Sequence, residues 1–200
     1  MDVCERLSSV ALLIGLSPIL AGSALTVSLL SGRTPFIAHK RVGWRGATLW
    51  MLKLRTMWNE ECPQPSQSSG WVEYIEDEAG PVQKQAVDPR VPSAFARFCR
   101  RHSIDELPQL WHVITGEMAL VGPRPVTPAE LREHYGAGAD SILQVKPGIA
   151  GLWQVSGRNR LTYAQRRDFD KEFATRRSLS MYAAIVLRTI PEILRGAHSW

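Results

Sequence analysis

The sequence predicts an α+β protein, mostly helical, in which an N-terminal membrane helix precedes a small soluble domain. No charged residue occurs in residues 7–32, and residues 10–30 are almost continuously apolar. Residues 52–57 alternate, with Leu52, Leu54 and Thr56 on one side and Lys53, Arg55 and Met57 on the other, which is typical of a short strand. Residues 94–114 carry apolar side chains at helical spacing, and residues 182–194 form a second, mostly apolar stretch.

The composition limits the class of protein. The 200 residues are 44% hydrophobic and 22% charged, which is a globular composition and excludes wholesale disorder. Lysine and arginine outnumber aspartate and glutamate by 24 to 19, and the net charge of +5 favours nucleic acid, anionic lipid or a phosphorylated substrate as partner. The cysteines, Cys4, Cys62 and Cys99, are too few and too scattered for a disulfide framework or a zinc site, which indicates a reducing compartment.

The apolar run is long enough to be a membrane segment. A helix over residues 10–30 rises about 30 Å, the thickness of the bilayer hydrocarbon core. Basic residues follow this run, so the positive-inside rule places the rest of the chain on the cytoplasmic face. These residues are Arg33, Lys40, Arg41 and Arg45. Because residues 21–24 (AGSA) imitate a cleavage site, a cleaved signal peptide is an alternative.

Ser17-Pro18 lies in the middle of the apolar run. Proline removes a backbone donor and clashes with the preceding turn, so a kink is expected there. The residues alone leave two interpretations open. One is a single-span anchor that tolerates its proline, and the other is a broken helix whose two ends lie on the same membrane face.

After the membrane segment the sequence predicts a β-hairpin and then a loop. Gly43 and Gly46 fit the turn of the hairpin. Residues 59–70 are rich in Pro, Ser and Gln, which predicts a loop. For the acidic side chains of residues 71–80, a solvated face is favoured over a metal site.

Two helices are predicted next. Residues 94–101 place Phe95 and Phe98 on one side with arginines around them, which fits either a surface helix or contact with phosphate or lipid headgroups. Ser103 and Glu106 match the S-x-x-E capping box, so a second helix is predicted to begin there despite Pro108.

Asp105 is the candidate nucleophile. In the first turn of a helix, unpaired N–H groups and the helix dipole keep a carboxylate ionised, and a phosphate can dock beside it. Adjacent residues of a helix point about 100° apart, so Asp105 and Glu106 are expected to do separate jobs around one substrate rather than share a proton. The alternative is that both only stabilise the start of the helix.

Three turns present cations. Arg124 lies between two prolines that restrict its backbone, which reduces the entropy lost when its guanidinium binds a phosphate. Lys146 and Arg158 lie in two further turns, at residues 146–148 and 156–159. The three turns suggest convergence on an anion, and a generally basic surface is the alternative.

Five blocks of sequence now make the chain recognisable. They are HKRVG (39–43), KLRTM (53–57), SIDELPQLW (103–111), LVGPRP (120–125) and KPGIAGLWQVSGRN (146–159). In this order they resemble the bacterial sugar transferase family, the monotopic phosphoglycosyl transferases, in its minimal form. The Asp-Glu pair alone is a weak signal, whereas the ordered set is a strong one.

The resemblance implies an enzyme of the bacterial inner membrane with its catalytic domain on the cytoplasmic face. It would transfer a sugar 1-phosphate from a UDP-sugar to polyprenol phosphate, release UMP and initiate the assembly of a surface glycan. By resemblance, Asp105 would attack the sugar-proximal phosphate and form a covalent phosphosugar intermediate, and Glu106 would bind the required Mg²⁺. Ser17-Pro18 would break a re-entrant helix.

The resemblance also implies the domain organisation and the phosphate ligands. Residues 1–33 would form the re-entrant helix and residues 34–200 the catalytic domain, with interfacial amphipathic helices and a variable loop insertion at 59–93. The residues expected to meet the substrate phosphates are Lys53, Arg55, Arg100, Arg124 and Arg158. Membrane lipids are expected partners. Nucleic acid is not, because the chain has no recognition-helix or RNP pattern.

Several positions depart from the family pattern. Leu54 stands where family members often have Phe, and Ala94 lies near a common Gly. His112, Glu117 and Ala119 stand where Asn, Asp and Ser are common, and Tyr182 stands for an aspartate near the C-terminal helix. None of these departures removes Asp105 or Glu106. A catalytically inactive scaffold, tethered to the membrane for glycan-assembly partners, is the alternative function.

Overall fold

The computed structural model describes residues 2–59, 62, 65–76, 90–157 and 160–196. It confirms an α+β chain, mostly helical, with a long apolar helix at the N-terminus. The helices are α1 (Asp2–Ser31), α2 (Ala94–Arg101), α3 (Leu110–Thr115), α4 (Pro128–Glu130), α5 (Ala139–Leu143), α6 (Leu152–Ser156), α7 (Tyr163–Arg176) and α8 (Leu179–Arg195). The strands are β1 (Phe36–Val42), β2 (Thr48–Leu54), β3 (Gln67–Ser69), β4 (Val72–Ile75), β5 (Ala119–Val121) and β6 (Gly148–Ala150).

Helix α1 is one helix of 30 residues that continues through Pro18. Pro18 has no N–H to donate to the carbonyl oxygen of Ile14, four residues earlier. The Ser17 hydroxyl donates to that oxygen instead, at 2.7 Å, so the carbonyl keeps a donor in apolar surroundings. The helix is therefore not interrupted at Ser17-Pro18, where the sequence predicts a break. The return of both helix ends to one membrane face stays a prediction.

The two ends of α1 pack on the folded domain, whereas its middle does not. Glu5 and Ser9 are buried near its start, and Ser23 and Val27 are buried near its end. Four of the large side chains between them are exposed: Val10, Leu12, Ile14 and Ile19. Since α1 is long and apolar enough to cross a membrane, its exposed middle is the part available to lipid.

The predicted hairpin is confirmed and belongs to a four-stranded sheet. β1 and β2 pair antiparallel, and their turn is closed by the Gly43 N–H, which donates to the Ala47 carbonyl at 2.7 Å. β4 runs parallel to β1 and β3 antiparallel to β4, giving the order β2-β1-β4-β3. The loop prediction is therefore wrong for Gln67–Ser69. Pairing with β4 overrides the low strand propensity of this polar segment.

Helix α2 has the predicted bounds, and Ser93 caps it by accepting from the Ala96 N–H at 2.9 Å. The buried face of α2 is not the side that carries both phenylalanines. Ala96 and Cys99 are fully buried, whereas Phe95 is partly buried and Phe98 is 50% exposed. Two small side chains allow α2 to approach α1 and β2 closely, and the larger rings are left at the edge of that contact.

The predicted capping box is also wrong. Ser103 has a left-handed backbone (φ 55°, ψ 24°), and its side chain makes no capping hydrogen bond. The Glu106 N–H donates to the Ser103 carbonyl at 3.1 Å, and the chain forms a 3₁₀ segment over Ile104–Gln109 before α3 begins. Pro108 lies inside this segment, so the tighter turn replaces the α-helix that the sequence pattern predicts.

Strands β5 and β6 bring two of the predicted cation-bearing turns together. They pair in parallel, and a Cβ on Gly148 would collide with the backbone of Gly122. The turn with Arg124 therefore lies against the turn with Lys146. The Lys146 ammonium contacts the Asp2 carboxylate at 3.2 Å, so it binds the start of α1 rather than converging with Arg124 on one anion.

Candidate active site

Asp105 lies at the start of the 3₁₀ segment and is 9% exposed. The left-handed residue Ser103 turns the chain between α2 and this segment, which places the Asp105 carboxylate near the thiol of Cys99. Burial, followed by the negative charge of Asp105, raises the pKa of Cys99 to about 11. The candidate nucleophile thus occupies a largely buried position at the start of a helical segment, as predicted, although the segment is of the 3₁₀ type.

Glu106 is the centre of an ion-pair cluster. Its Oε1 lies 3.3 Å from the Lys53 ammonium and 3.4 Å from Nη1 of Arg124. Lys53 comes from the end of β2, and Arg124 from the turn after β5. The structure therefore brings together three of the predicted site residues from three separate elements. Lys53 and Glu106 lie more than fifty residues apart along the chain.

The electrostatics of Lys53 reflect this environment. Burial lowers its pKa, and the charge of Arg124 acts in the same direction, whereas the carboxylates of Glu106 and Asp105 oppose the shift. Asp105 therefore lies within electrostatic reach of the cluster. Two carboxylates and two cations in one partly buried site form an arrangement in which an incoming phosphate can be met by positive charge next to a nucleophile.

Arg124 and Arg100 are both predicted to meet a substrate phosphate, and they differ in their contacts. The Arg124 side chain is 29% exposed while it pairs with Glu106, so its guanidinium can also face a ligand. Arg100 lies in the last turn of α2 and is partly buried. Within the described residues it makes no side-chain hydrogen bond or ion pair. Its contact with a substrate phosphate stays a prediction.

Arg55 is held in a buried ion pair. Its side chain is almost fully buried, and Nη2 lies 2.7 Å from Oε2 of Glu73. The same guanidinium donates to the Thr34 carbonyl at 2.7 Å and to the Thr34 hydroxyl at 3.2 Å. Arg55 thus joins β4 to the segment between α1 and β1, and its predicted contact with a substrate phosphate stays a prediction.

The acidic segment 71–80 is likewise partly structural. Glu73 belongs to the buried pair with Arg55, and Glu76 pairs with Lys40 at 3.1 Å. The prediction of a solvated acidic face is therefore wrong for Glu73. Residues 77–80 lie outside the described residues, as does Arg158. Among the residues that the structure describes, no group of three or more His, Cys, Asp or Glu side chains could hold a metal ion.

The sequence reasoning missed the role of His112. The Leu52 N–H donates to Nε2 of His112 at 3.1 Å, and Nδ1 of His112 lies 2.7 Å from the carboxylate of Glu117. Because Nε2 accepts a hydrogen bond, Nδ1 carries the proton and donates to Glu117. The hydrogen bond to Nε2 of His112 holds β2 at Leu52, one residue before Lys53. His112 and Glu117 are among the departures from the resemblance that the sequence suggests, and these two departures were the available signal.

The comparisons with known proteins show the family of this chain. Residues 1–196 match the family described as bacterial sugar transferase. The chain belongs to the bacterial sugar transferase family. It is 39% identical over 198 residues to the exopolysaccharide production protein ExoY of Sinorhizobium fredii, covering 98% of this chain and 86% of that protein.

Two further relatives carry more specific names. The UDP-galactose-lipid carrier transferase of Erwinia amylovora is 40% identical over 172 residues, covering 82% of this chain and 34% of that protein. The UDP-glucose:undecaprenyl-phosphate glucose-1-phosphate transferase of Caulobacter vibrioides is 36% identical over 186 residues, covering 89% of this chain and 63% of that protein. The predicted enzyme class, a phosphoglycosyl transferase, is confirmed for this sugar transferase chain.

Proposed function

We propose that this sugar transferase moves a sugar 1-phosphate from a UDP-sugar to undecaprenyl phosphate, or a similar polyprenol phosphate, at the start of exopolysaccharide assembly. The printed names of the relatives supply the substrate classes. The observation that carries the proposal is the position of Asp105, a largely buried carboxylate beside the cluster of Lys53, Glu106 and Arg124.

The chemistry follows from this arrangement. A carboxylate oxygen of Asp105 attacks the sugar-proximal phosphorus, the bond from that phosphorus to the bridging oxygen breaks, and UMP leaves with the bond's electron pair. The phosphate of the polyprenol then attacks the same phosphorus and releases Asp105 as a carboxylate. Lys53 and Arg124 neutralise charge on the nonbridging oxygens, and Glu106 holds both cations in place.

Mg²⁺ is part of the proposal. The ion takes oxygen ligands and is commonly bound by one or two protein carboxylates together with substrate phosphates and water. The donor set at this site fits that chemistry, because Glu106 and Asp105 are adjacent carboxylates that offer oxygen ligands. Glu106 would hold the ion, which would supply further charge neutralisation at the diphosphate.

The topology of α1 supports a re-entrant helix. Its start contacts the folded domain through Asp2 and Glu5, and its end packs on the same domain through Val27. A domain outside the membrane cannot hold both ends of a helix that crosses a hydrocarbon core of about 30 Å. We therefore propose that both ends of α1 and the domain share the cytoplasmic face.

Helix α8 offers a second membrane contact. Its apolar side chains Leu179, Leu187, Ile190 and Leu194 are half exposed or more, whereas Ile185 is buried in the domain core. An amphipathic helix with this distribution suits the plane of the membrane surface. Together with the exposed middle of α1, it places the domain against lipid, where a polyprenol phosphate has to be met.

The native residue Cys4 gives a direct test of the topology. It is exposed at the start of α1, whereas Cys62 and Cys99 are buried. A membrane-impermeant maleimide is expected to label Cys4 in inverted membrane vesicles and not in intact spheroplasts. Cys4→Ser is the control for the background of the buried thiols. Labelling from the periplasmic side would show that α1 crosses the membrane, and the re-entrant topology would be wrong.

The activity is tested with a panel of UDP-sugars. Membranes that contain the protein, undecaprenyl phosphate and Mg²⁺ are expected to release UMP with at least one UDP-sugar and to form a lipid-linked sugar diphosphate. Chelation of Mg²⁺ with EDTA is expected to stop the release, and added Mg²⁺ to restore it. No release with any member of the panel would favour the inactive scaffold instead.

A further inference from the structure

Glu5 is a buried carboxylate at the start of the membrane helix. It is 7% exposed, although it lies only five residues into the chain. Its Oε1 accepts a hydrogen bond from the Tyr182 hydroxyl at 2.7 Å and from the Leu120 N–H at 3.3 Å. A charged group taken out of water needs such donors to compensate for lost solvation. Both contacts therefore stabilise the packing of the start of α1 on the domain.

The bond to Leu120 closes an open strand edge. The N–H groups of Ala119 in β5 and of Gly122 just after it donate toward β6, to the carbonyls of Pro147 and Ala150, at 2.8 and 2.9 Å. The N–H of Leu120 donates to Glu5 on the opposite edge, where β5 has no strand partner among the residues that the structure describes. Glu5 supplies the acceptor that a further strand would otherwise provide.

Strand β5 leads directly to the active site. Four residues after Leu120, Arg124 reaches Oε1 of Glu106. We propose that Glu5, with Tyr182, is a positioning residue that ties the start of the membrane helix to β5 and so sets Arg124 against Glu106. This inference rests on the transferase function proposed above. It makes the geometry of the site depend on whether the start of α1 is docked.

Tyr182 completes this contact from helix α8. Its phenol hydroxyl lies at the far end of a long side chain and donates a hydrogen bond to Oε1 of Glu5. A shorter side chain at residue 182 would leave the buried carboxylate without this donor, which a group taken out of water needs.

The proposal is tested on the full chain in lipid nanodiscs by amide hydrogen exchange and by UMP release. In Glu5→Ala, the amide exchange of residues 119–124 is expected to accelerate. Loss of a hydrogen bond to a charged group changes an equilibrium by roughly tenfold to hundredfold. We therefore expect kcat to fall by about that factor and KM to change by less. The matched control is Cys4→Ser, which changes an exposed side chain in the same helical turn; both readouts are expected to stay unchanged.

Two milder variants make the test specific. Tyr182→Phe removes only the hydroxyl that donates to Glu5, and it is expected to accelerate the same amides and to lower kcat by less than Glu5→Ala. Glu5→Gln keeps an oxygen that can accept from the Leu120 N–H, so it is expected to retain more activity and slower exchange than Glu5→Ala. A merely structural contact would lower the melting temperature of Glu5→Ala with kcat unchanged, and the proposal would be wrong.

The exchange readout needs no substrate. Unchanged exchange of residues 119–124 in Glu5→Ala would overturn the proposal, as would exchange in Glu5→Gln that is as fast as in Glu5→Ala. If the unaltered protein released no UMP from any UDP-sugar, the proposed function would fail, and the exchange rates would still decide whether Glu5 holds β5.

Discussion

Asp105→Asn is expected to abolish UMP release, with a loss of about a thousandfold or more, because the side chain that would form the covalent bond is no longer a nucleophile. The substitution keeps the size of the side chain in a position that is 9% exposed, so the fold is expected to persist. The measurement is the rate of UMP release in membranes, together with the intact mass of the protein after incubation with UDP-sugar alone. The unaltered chain is expected to gain the mass of a phosphosugar, and Asp105→Asn is not.

Two comparisons make this result interpretable. Asp140→Asn changes an exposed aspartate on α5 in the same way and is expected to leave both readouts unchanged. Asp105→Ala excludes slow deamidation of the new asparagine as a source of residual activity. Full turnover by Asp105→Asn would rule out the covalent mechanism, and the proposed nucleophile would have to be sought elsewhere.

Arg55→Met is expected to cost about 3–5 kcal/mol of folding stability, because it leaves the carboxylate of Glu73 without its buried partner. The pair is tight, at 2.7 Å, with the side chains 3% and 13% exposed. The free energy of unfolding is measured by denaturant titration of the detergent-solubilised protein. A phosphate ligand, as the sequence predicts, would instead lose activity at unchanged stability.

The partner variant separates these two roles. Arg55→Met combined with Glu73→Gln removes both charges of the pair and is expected to recover part of the lost stability. Lys40→Met is the matched control, because it breaks the more exposed pair with Glu76 on the same sheet and is expected to cost less than about 1 kcal/mol. A stable Arg55→Met variant with no UMP release would return Arg55 to the active site.

The candidate site was predictable to different extents for different residues. Asp105, Glu106 and Arg124 could be named because each lies in a local pattern that has a chemical reason: a helix start, an adjacent carboxylate and a turn stiffened by prolines. Lys53 and Arg55 could not be told apart, because they stand two residues apart in one motif of one strand. Only the contacts decide between them: Lys53 pairs with Glu106, and Arg55 pairs with Glu73.

The same distinction applies to the fold. The hairpin and the bounds of α2 follow from local signals, namely the turn glycines and the spacing of Phe95 and Phe98 among arginines. The strand Gln67–Ser69 and the 3₁₀ segment at Ile104–Gln109 do not, because they depend on pairing with β4 and on the left-handed turn at Ser103. Local preference is weak against such contacts.

By itself, the sequence determined the membrane helix, the family and the position of the candidate nucleophile, since length, apolar composition and ordered motifs are properties of the chain alone. The tertiary structure decided which cations face Glu106, which arginine is structural, and that Glu5 at the start of α1 reaches Leu120. These are contacts between residues far apart in the chain. Burial and hydrogen bonding select them only after the elements have packed.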